Sequence, residues 1–528
     1  MRAMHRSEDT DPAGDRAGLS RRELIALAAL GLTAGAPGLA GAATPRGELT
    51  WGVHVSLAPT WFDPAETSGI ITPYLVLYAL HDAMVKPMPG KPLAPSLAES
   101  FTASEDGLHF DFVLRAGAKF HNGDPVTAED VKFSFERYRG AAHAMMKARV
   151  ATIETPDPRH VRFTLKQPWP DFLTFYASAT GAGWVVPKKY VEKVGDDGFK
   201  KAPVGAGPYK FVSFTPGVEL IVEAFDGFWR KTPNVKRLVF KSIPDMSTRL
   251  AALKTGEVDI IHWVGGELAE ELQRTPGLAL KVAVTAPFWV YFPEQWDPKS
   301  PWHDVRARQA ASLALDRVNI NKAITFGHSP LTGNAFVPPG FEFYWQPPEP
   351  VFDPAKAKRL LAEAGHPEGL DAGALYCDAA FSGVGEAIVN SLREGGIRAN
   401  LRPIERAGFF KGYAEKKYKG LILGASAAFG NAATRLEAFV VKGGSYAYGS
   451  YPDIDALFPQ QAVELDHAKR EALLHKMQQL VHEKVIAAPL WQLGGLHGVG
   501  PRVGESTFGL IPNYPWTSPY EDITMKGA

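Results

Sequence analysis

Pro95-Ser-Leu-Ala-Glu-Ser-Phe101, Ser104-Glu-Asp-Gly-Leu-His-Phe-Asp-Phe-Val-Leu-Arg115, Gly117-Ala-Lys-Phe-His-Asn-Gly-Asp-Pro-Val-Thr-Ala-Glu-Asp130 and Val131-Lys-Phe-Ser-Phe-Glu-Arg-Tyr138 follow one another almost without a break. Glu105-Asp106-Gly107 marks a turn, and Leu108, Phe110, Phe112 and Leu114 alternate along one face of a strand. Asn122-Gly123-Asp124-Pro125 marks a second turn, in which Gly123 supplies the positive φ. Thr127 then caps a helix, and Asp130 three residues on closes a capping box. Turn, strand, turn and capped helix specify an ordered α/β unit. They carry no chemistry of their own.

The rest of the chain sets bounds. A length of 528 residues exceeds a single core and predicts two or three domains. Lys+Arg and Asp+Glu both number 57, so no net field recruits nucleic acid or an acidic membrane, and neither is expected as a partner. The one cysteine, Cys377, permits no intramolecular disulfide and no cysteine-based zinc site.

At the N-terminus, Ser20-Arg21-Arg22-Glu23-Leu24-Ile25 leads into an Ala/Leu/Gly run that ends at Ala43, with Ala40-Gly41-Ala42 as an A-x-A cleavage site. This order of charge and apolarity reads as a signal peptide over residues 1–42, and Arg21-Arg22 as a twin-arginine (Tat) signal, with a Sec leader as the alternative. The mature chain is expected in the periplasm, beginning near Ala43. With no cysteine after the run, it is not expected to be a lipoprotein.

Further along, Gly47–Val55 reads as a strand, Tyr74–Asp82 as a helix and Val161–Leu165 as an alternating strand. Pro203-Val-Gly-Ala-Gly-Pro-Tyr-Lys-Phe211 is a glycine-containing loop before a strand, lacking the third glycine and following helix of a dinucleotide loop. Met246–Lys254 is a helix stopped by Gly256, and Glu257-Val-Asp-Ile-Ile261 starts a strand. Phe288-Trp-Val-Tyr-Phe292 is a strand, Asp304–Arg317 a helix capped by Asp304, and Asp353–Gly365 a helix with Pro354 at its first position. Leu473–Val485 is a last long helix, and Ala488–Gln492 returns as a strand.

The opening block, Pro203–Phe211, Arg249–Ile260, Asp304–Arg317 and Asp353–Gly365, in this order, closely resemble family 5 of the solute-binding proteins of ABC importers, the oligopeptide-, dipeptide- and nickel-binding group. The resemblance runs from about Gly47 to the C-terminus. It implies an α/β, two-lobed periplasmic binding protein fold of type II with an extra domain inserted in the first lobe. On that pattern residues 43–82, 204–288 and 488–528 build the first lobe, 83–203 the inserted domain and 289–487 the second lobe. Phe288–Phe292 is expected to carry the crossing between lobes. The implied partners are a small-molecule or modified-peptide ligand, an inner-membrane permease and its ATPase; the binding protein itself is expected to be a monomer.

No catalytic constellation emerges. There is no His-Glu-x-x-His string. His475 and His482 on one helix sit among Lys476, Glu483 and Lys484 and read as a solvated face. Gly327-His-Ser-Pro-Leu331 misses the closing glycine of a nucleophile elbow, and Asp196-Asp197 reads as a surface turn. Neither a cofactor nor a metal is called for, and the chain is not expected to be an enzyme. An exported hydrolase would need a nucleophile, base and orienting group that the sequence does not assemble; a metal-chelate binder of the same family stays open.

Aromatic residues in crossings and loops are the ligand candidates, because small solutes are held by apolar walls with a few polar groups. They are Trp61, Trp289, Tyr291, Trp345, Phe429 and Trp491. Peptide-binding members of the family carry a Gly-Trp-x-x-Asp-Tyr string whose aspartate pairs with the peptide amine. Here the best match is Gly424-Ala425-Ser426-Ala427-Ala428-Phe429, with alanine for both tryptophan and aspartate. Ser426 and Phe429 of that string, with Asn431 and Arg435 beyond it, complete the candidates. The missing acid implies a ligand other than a plain peptide: a modified peptide, an opine-like or sugar-like conjugate, or another organic solute.

Overall fold

The computed structural model describes residues 44–66, 72–140, 142–179, 181–426, 430–511 and 514–527; the expected leader lies outside them. Fourteen strands form the two main sheets. In chain order they are β1 (Arg46–Val53), β2 (Ala98–Ala103), β3 (His109–Leu114), β4 (Val150–Asp157), β5 (His160–Leu165), β6 (Tyr209–Thr215), β7 (Glu219–Ala224), β8 (Val235–Ser242), β9 (Ile260–Val264), β10 (Ala279–Tyr291), β11 (Leu370–Asp378), β12 (Ile397–Ile404), β13 (Leu421–Ala425) and β14 (Ala487–Val499). The larger sheet has ten strands in the order β6-β7-β8-β1-β9-β14-β10-β13-β11-β12.

That order divides the sheet into two halves. In the first, β8, β1 and β9 run parallel; in the second, β12, β11 and β13 do. Between them lie β10 and β14, 13 residues each, paired antiparallel from Ala279 with Val499 to Tyr291 with Ala487. The first half attaches where β9 pairs the far end of β14, at Ile260 with Val499. The second attaches where β13 pairs the far end of β10, at Tyr291 with Ile422. The β10–β14 register shifts twice between Val284 and Trp289, around Pro287. Irregular pairing of this kind bends a strand pair, and proline cannot donate to the ladder. The two halves therefore have separate cores, one around Leu49, Trp51 and Phe240 and the other around Phe288, Leu375 and Leu421.

The opening block builds a third body. Its four antiparallel strands are ordered β2-β3-β5-β4, and β3 buries Phe110, Phe112 and Leu114 on one face, as alternation predicts. The capping box of Thr127 and Asp130 starts helix Ala128–Arg137. Phe135, Phe163 and Phe172 fill a core of its own.

Several elements differ from expectation. The stretch Asp304–Arg317 is two helices, Val305–Leu313 and Arg317–Thr325. Asp316 caps the second by accepting from the Asn319 N–H at 3.0 Å, and the buried Arg317 guanidinium takes up the Ser312 and Leu315 carbonyls. Asp196 and Asp197 lie not in a turn but within helix Lys188–Lys201, kinked at Gly195 (φ 70°). Asp196 there binds Arg137 at 2.7 Å and Arg139 at 2.6 Å. Two helices of the second half matter below: α1 (Ala432–Phe439), capped by Asn431, and α2 (His467–Glu483), which Asp466 starts two turns before the expected Leu473.

Candidate functional site

In an open parallel sheet the residues beyond the carboxyl ends of the strands are the ones free to face a ligand. Here those ends are His54 after β1, Trp263 to Gly266 at the end of β9, Ala379 to Phe381 after β11, and Ser426 after β13. Folding of β10 against β14 brings ends from both halves together. Trp263 meets Phe381 edge-on with ring centroids 6.3 Å apart. Trp516, from the C-terminal segment, lies 5.9 Å from Trp263 and 4.1 Å from the His54 ring. Phe381 in turn sits edge-on to Phe288 at 4.9 Å, over the irregular stretch of β10. Trp263 has φ 57°, a left-handed conformation that a bulky side chain adopts only where surrounding structure imposes it.

Polar groups border these rings. Arg406 pairs with the buried Asp378 at the end of β11 at 2.8 Å while 60% of its side chain stays exposed. His54 is driven down to about 3 by burial first, then by Arg249, His497 and Arg406. It is a neutral imidazole at physiological pH. Behind it His262 and His497 are fully buried, with ring centroids 5.6 Å apart, and no described group hydrogen-bonds their ring nitrogens. Among the described residues no group of three or more His, Cys, Asp or Glu side chains is placed to hold a metal ion.

Four of the sequence candidates come together. Arg435 is fully buried on α1; it donates to the Phe336 carbonyl at 2.7 Å and to Ser426 Oγ at 2.7 Å, and stacks over Phe439 and Trp289. Burial lowers its guanidinium to about 9. Asn431 caps α1 by accepting from the Thr434 N–H. Trp289 is fully buried between Phe336 and Phe439, and Gly424 across the ladder leaves it room: a Cβ there would lie 2.3 Å from the indole Nε1. Phe429 lies outside the described residues.

The others lie apart. Tyr291 is buried in the second half, its hydroxyl accepting from the Tyr448 N–H. Trp491 is buried in the core beneath Phe288, and Trp61 packs at the edge of the first half's core. Trp345 lines a cavity of about 740 Å³ with Leu313, Pro348, Leu360, Val481 and His482, bordered by Ala487 and Pro489 at the start of β14. Trp263, Phe381, Arg406 and Trp516 were missed from sequence. A Trp before Val264-Gly-Gly266 at a strand end was the available signal for the first; the others depend on tertiary folding.

Comparison with known proteins gives this site its context. Residues 92–447 match the family model described as bacterial extracellular solute-binding proteins, family 5 Middle. The glutathione-binding protein GsiB of Salmonella typhimurium is 33% identical over 281 residues, 52% of this chain and 53% of that protein, so the match spans about half of each. A probable di/tripeptide-binding protein of Pseudomonas aeruginosa is 26% identical over 483 residues, covering 85% of this chain and 91% of the relative. Among solved structures, AgaA of A. tumefaciens R10 in complex with agropinic acid superposes with a TM-score of 0.75 at 25% identity, covering 91% and 99% of the two chains. Fold, strand-end geometry and family match agree: this chain belongs to family 5 of the bacterial extracellular solute-binding proteins.

Proposed function

We propose that the protein is the solute-binding component of an ABC importer, exported to the periplasm, where it captures a small organic solute between two lobes and presents it to a membrane permease and its ATPase. One observation carries this reading: strand ends from both halves of a bent sheet meet through Trp263, Phe381 and Trp516. A solute gripped there touches both halves. It binds the closed arrangement more tightly than the open one and shifts the population toward closure. No bond is made or broken.

On this reading residues 43–82, 204–288 and 488–528 form the first lobe, 83–203 the inserted domain and 289–487 the second lobe. Aromatic faces supply apolar contact; Arg406, Ser426 and the neutral His54 supply directed polar contacts. The solute is not a plain peptide with a free amine, because alanine stands where the amine-pairing aspartate of peptide binders would be. The solutes named for the relatives, glutathione, di- or tripeptides and agropinic acid, place the expected one among small polar organic molecules. Native mass spectrometry of the protein purified from its periplasm tests this. The expected result is a single non-covalent mass excess that denaturation releases; an unliganded mass throughout, with no small organic molecule raising the melting temperature in a screen, would count against it.

A further inference from the structure

The four-stranded body touches the second half of the large sheet at a buried ion pair. Asp171, at the start of the turn Phe172–Thr174, has 7% of its side chain exposed, and Arg470 of α2 has 5%. One Asp171 oxygen accepts from Arg470 Nη2 at 2.5 Å; the other accepts from Asn431 Nδ2 at 2.6 Å. Asn431 is the N-cap of α1 and stands five residues after Ser426, which follows the end of β13. The same helix is held again one and a half turns on, where Arg149 of the four-stranded body meets Glu437 at 3.3 Å. A third contact is apolar: a Cβ on Gly107 would come within 2.9 Å of Leu465. Thus a body with its own core grips both ends of the helix that follows β13, on which Arg435 binds Ser426.

We propose that Asp171 is a positioning residue for the ligand site: it locks the four-stranded body onto α1 and α2 in the closed arrangement, and so sets the population in which the β13 end faces the first half. Resting on the solute-binding reading for what closure serves, the proposal specifies how closure is held. The pair has a defined on and off state. When the halves separate, both charges gain water; when they meet, two charged groups and an amide satisfy one another in a buried site. Removal of Asp171's charge leaves Arg470 with only the neutral Gln461 amide oxygen, and removal of Arg470 leaves Asp171 with only the Asn431 amide; either way a buried charge loses its counter-charge, which penalises the closed arrangement. The half-buried Arg149–Glu437 pair, longer at 3.3 Å, is the weaker contact and is expected to contribute correspondingly less.

Interspin distances between labels on Glu154→Cys of the four-stranded body and Ala472→Cys of α2 test the proposal, without added solute. Both positions are exposed, whereas Cys377 is fully buried and does not compete for label. The labelled protein is expected to show a short-distance population that Asp171→Asn and Arg470→Gln each reduce at least about tenfold relative to the longer one. Arg149→Gln, at a half-buried position, should reduce it less, and its effect should vanish on an Asp171→Asn background. Circular dichroism and melting of each variant verify that the bodies stay folded. An unchanged distance distribution in Arg149→Gln and in any folded variant of the pair would overturn the proposal. Because no solute enters the measurement, that outcome is separate from a failure to find a solute.

Discussion

Acidification should destabilise this protein well before its carboxylates titrate. Five histidines are held neutral: burial drives His54, His121 and His497 to about 3, His81 to about 4 and the fully buried His262 well below its ordinary value. In the unfolded chain each takes a proton near 6.5. Below that value the unfolded state binds more protons than the folded one, so stability falls as pH falls, down to the folded pKa values near 3 to 4. At pH 5.5 each such histidine costs about 1.4 kcal/mol relative to pH 7.5, and the five together about 7 kcal/mol. Desolvation pushes up the carboxyls of the half-buried Glu437 and the fully buried Glu521, which act in the opposite sense and offset part of this. The remainder is large against a typical folding free energy of about 5–15 kcal/mol. Thermal melts at constant ionic strength from pH 7.5 to 5.5 read it directly. The melting temperature should fall steadily, and His497→Gln, which removes one of the five sites, should flatten the slope by about a fifth. A melting temperature that holds or rises over this range in both proteins would refute the reasoning.

Other outcomes follow from single sites. Gly424→Ala drives a Cβ into the Trp289 indole, which is fully buried and cannot yield; a loss of about 1–3 kcal/mol is expected, seen as a lower melting temperature, and an unaltered melt would contradict the packing. Export through a twin-arginine signal requires that Arg21→Lys with Arg22→Lys leave precursor in the cytoplasm, as fractionation and immunoblotting would reveal; normal export would assign the leader to Sec. Isothermal titration with unmodified di- to pentapeptides should give no submicromolar binding, since no aspartate stands in Gly424–Phe429 to pair the amine.

How much was legible in the sequence follows from how local each determinant is. Thr127 and Asp130 are three residues apart, and their capping box is formed as read. Asp353 and Pro354 start their helix in the same way. Strand β10 is different. Only Phe288 to Phe292 reads as a strand, because Ala279 to Val284 carries Lys281 and exposes much of its surface; that part is a strand because β14 pairs with it. The break near Arg317 also escapes local reading, since the arginine is captured by the Pro489 carbonyl at 2.6 Å, supplied by β14. The site follows the same logic. Ser426, Asn431 and Arg435 lie within ten residues of one another and were identified together, whereas Trp263, Phe381 and Trp516 meet only when the sheet folds. Trp289, Tyr291 and Trp491 sit on the crossing strands, where alternation makes an aromatic residue a core residue as readily as a ligand contact.

The central claim is that a solute bound between the lobes holds them together, and small-angle X-ray scattering measures it most directly. Protein stripped of its solute by denaturation and refolding is compared with the same protein after titration with the released solute. The account predicts a radius of gyration that falls on binding and saturates at one solute per chain. A radius unchanged at saturation would contradict it.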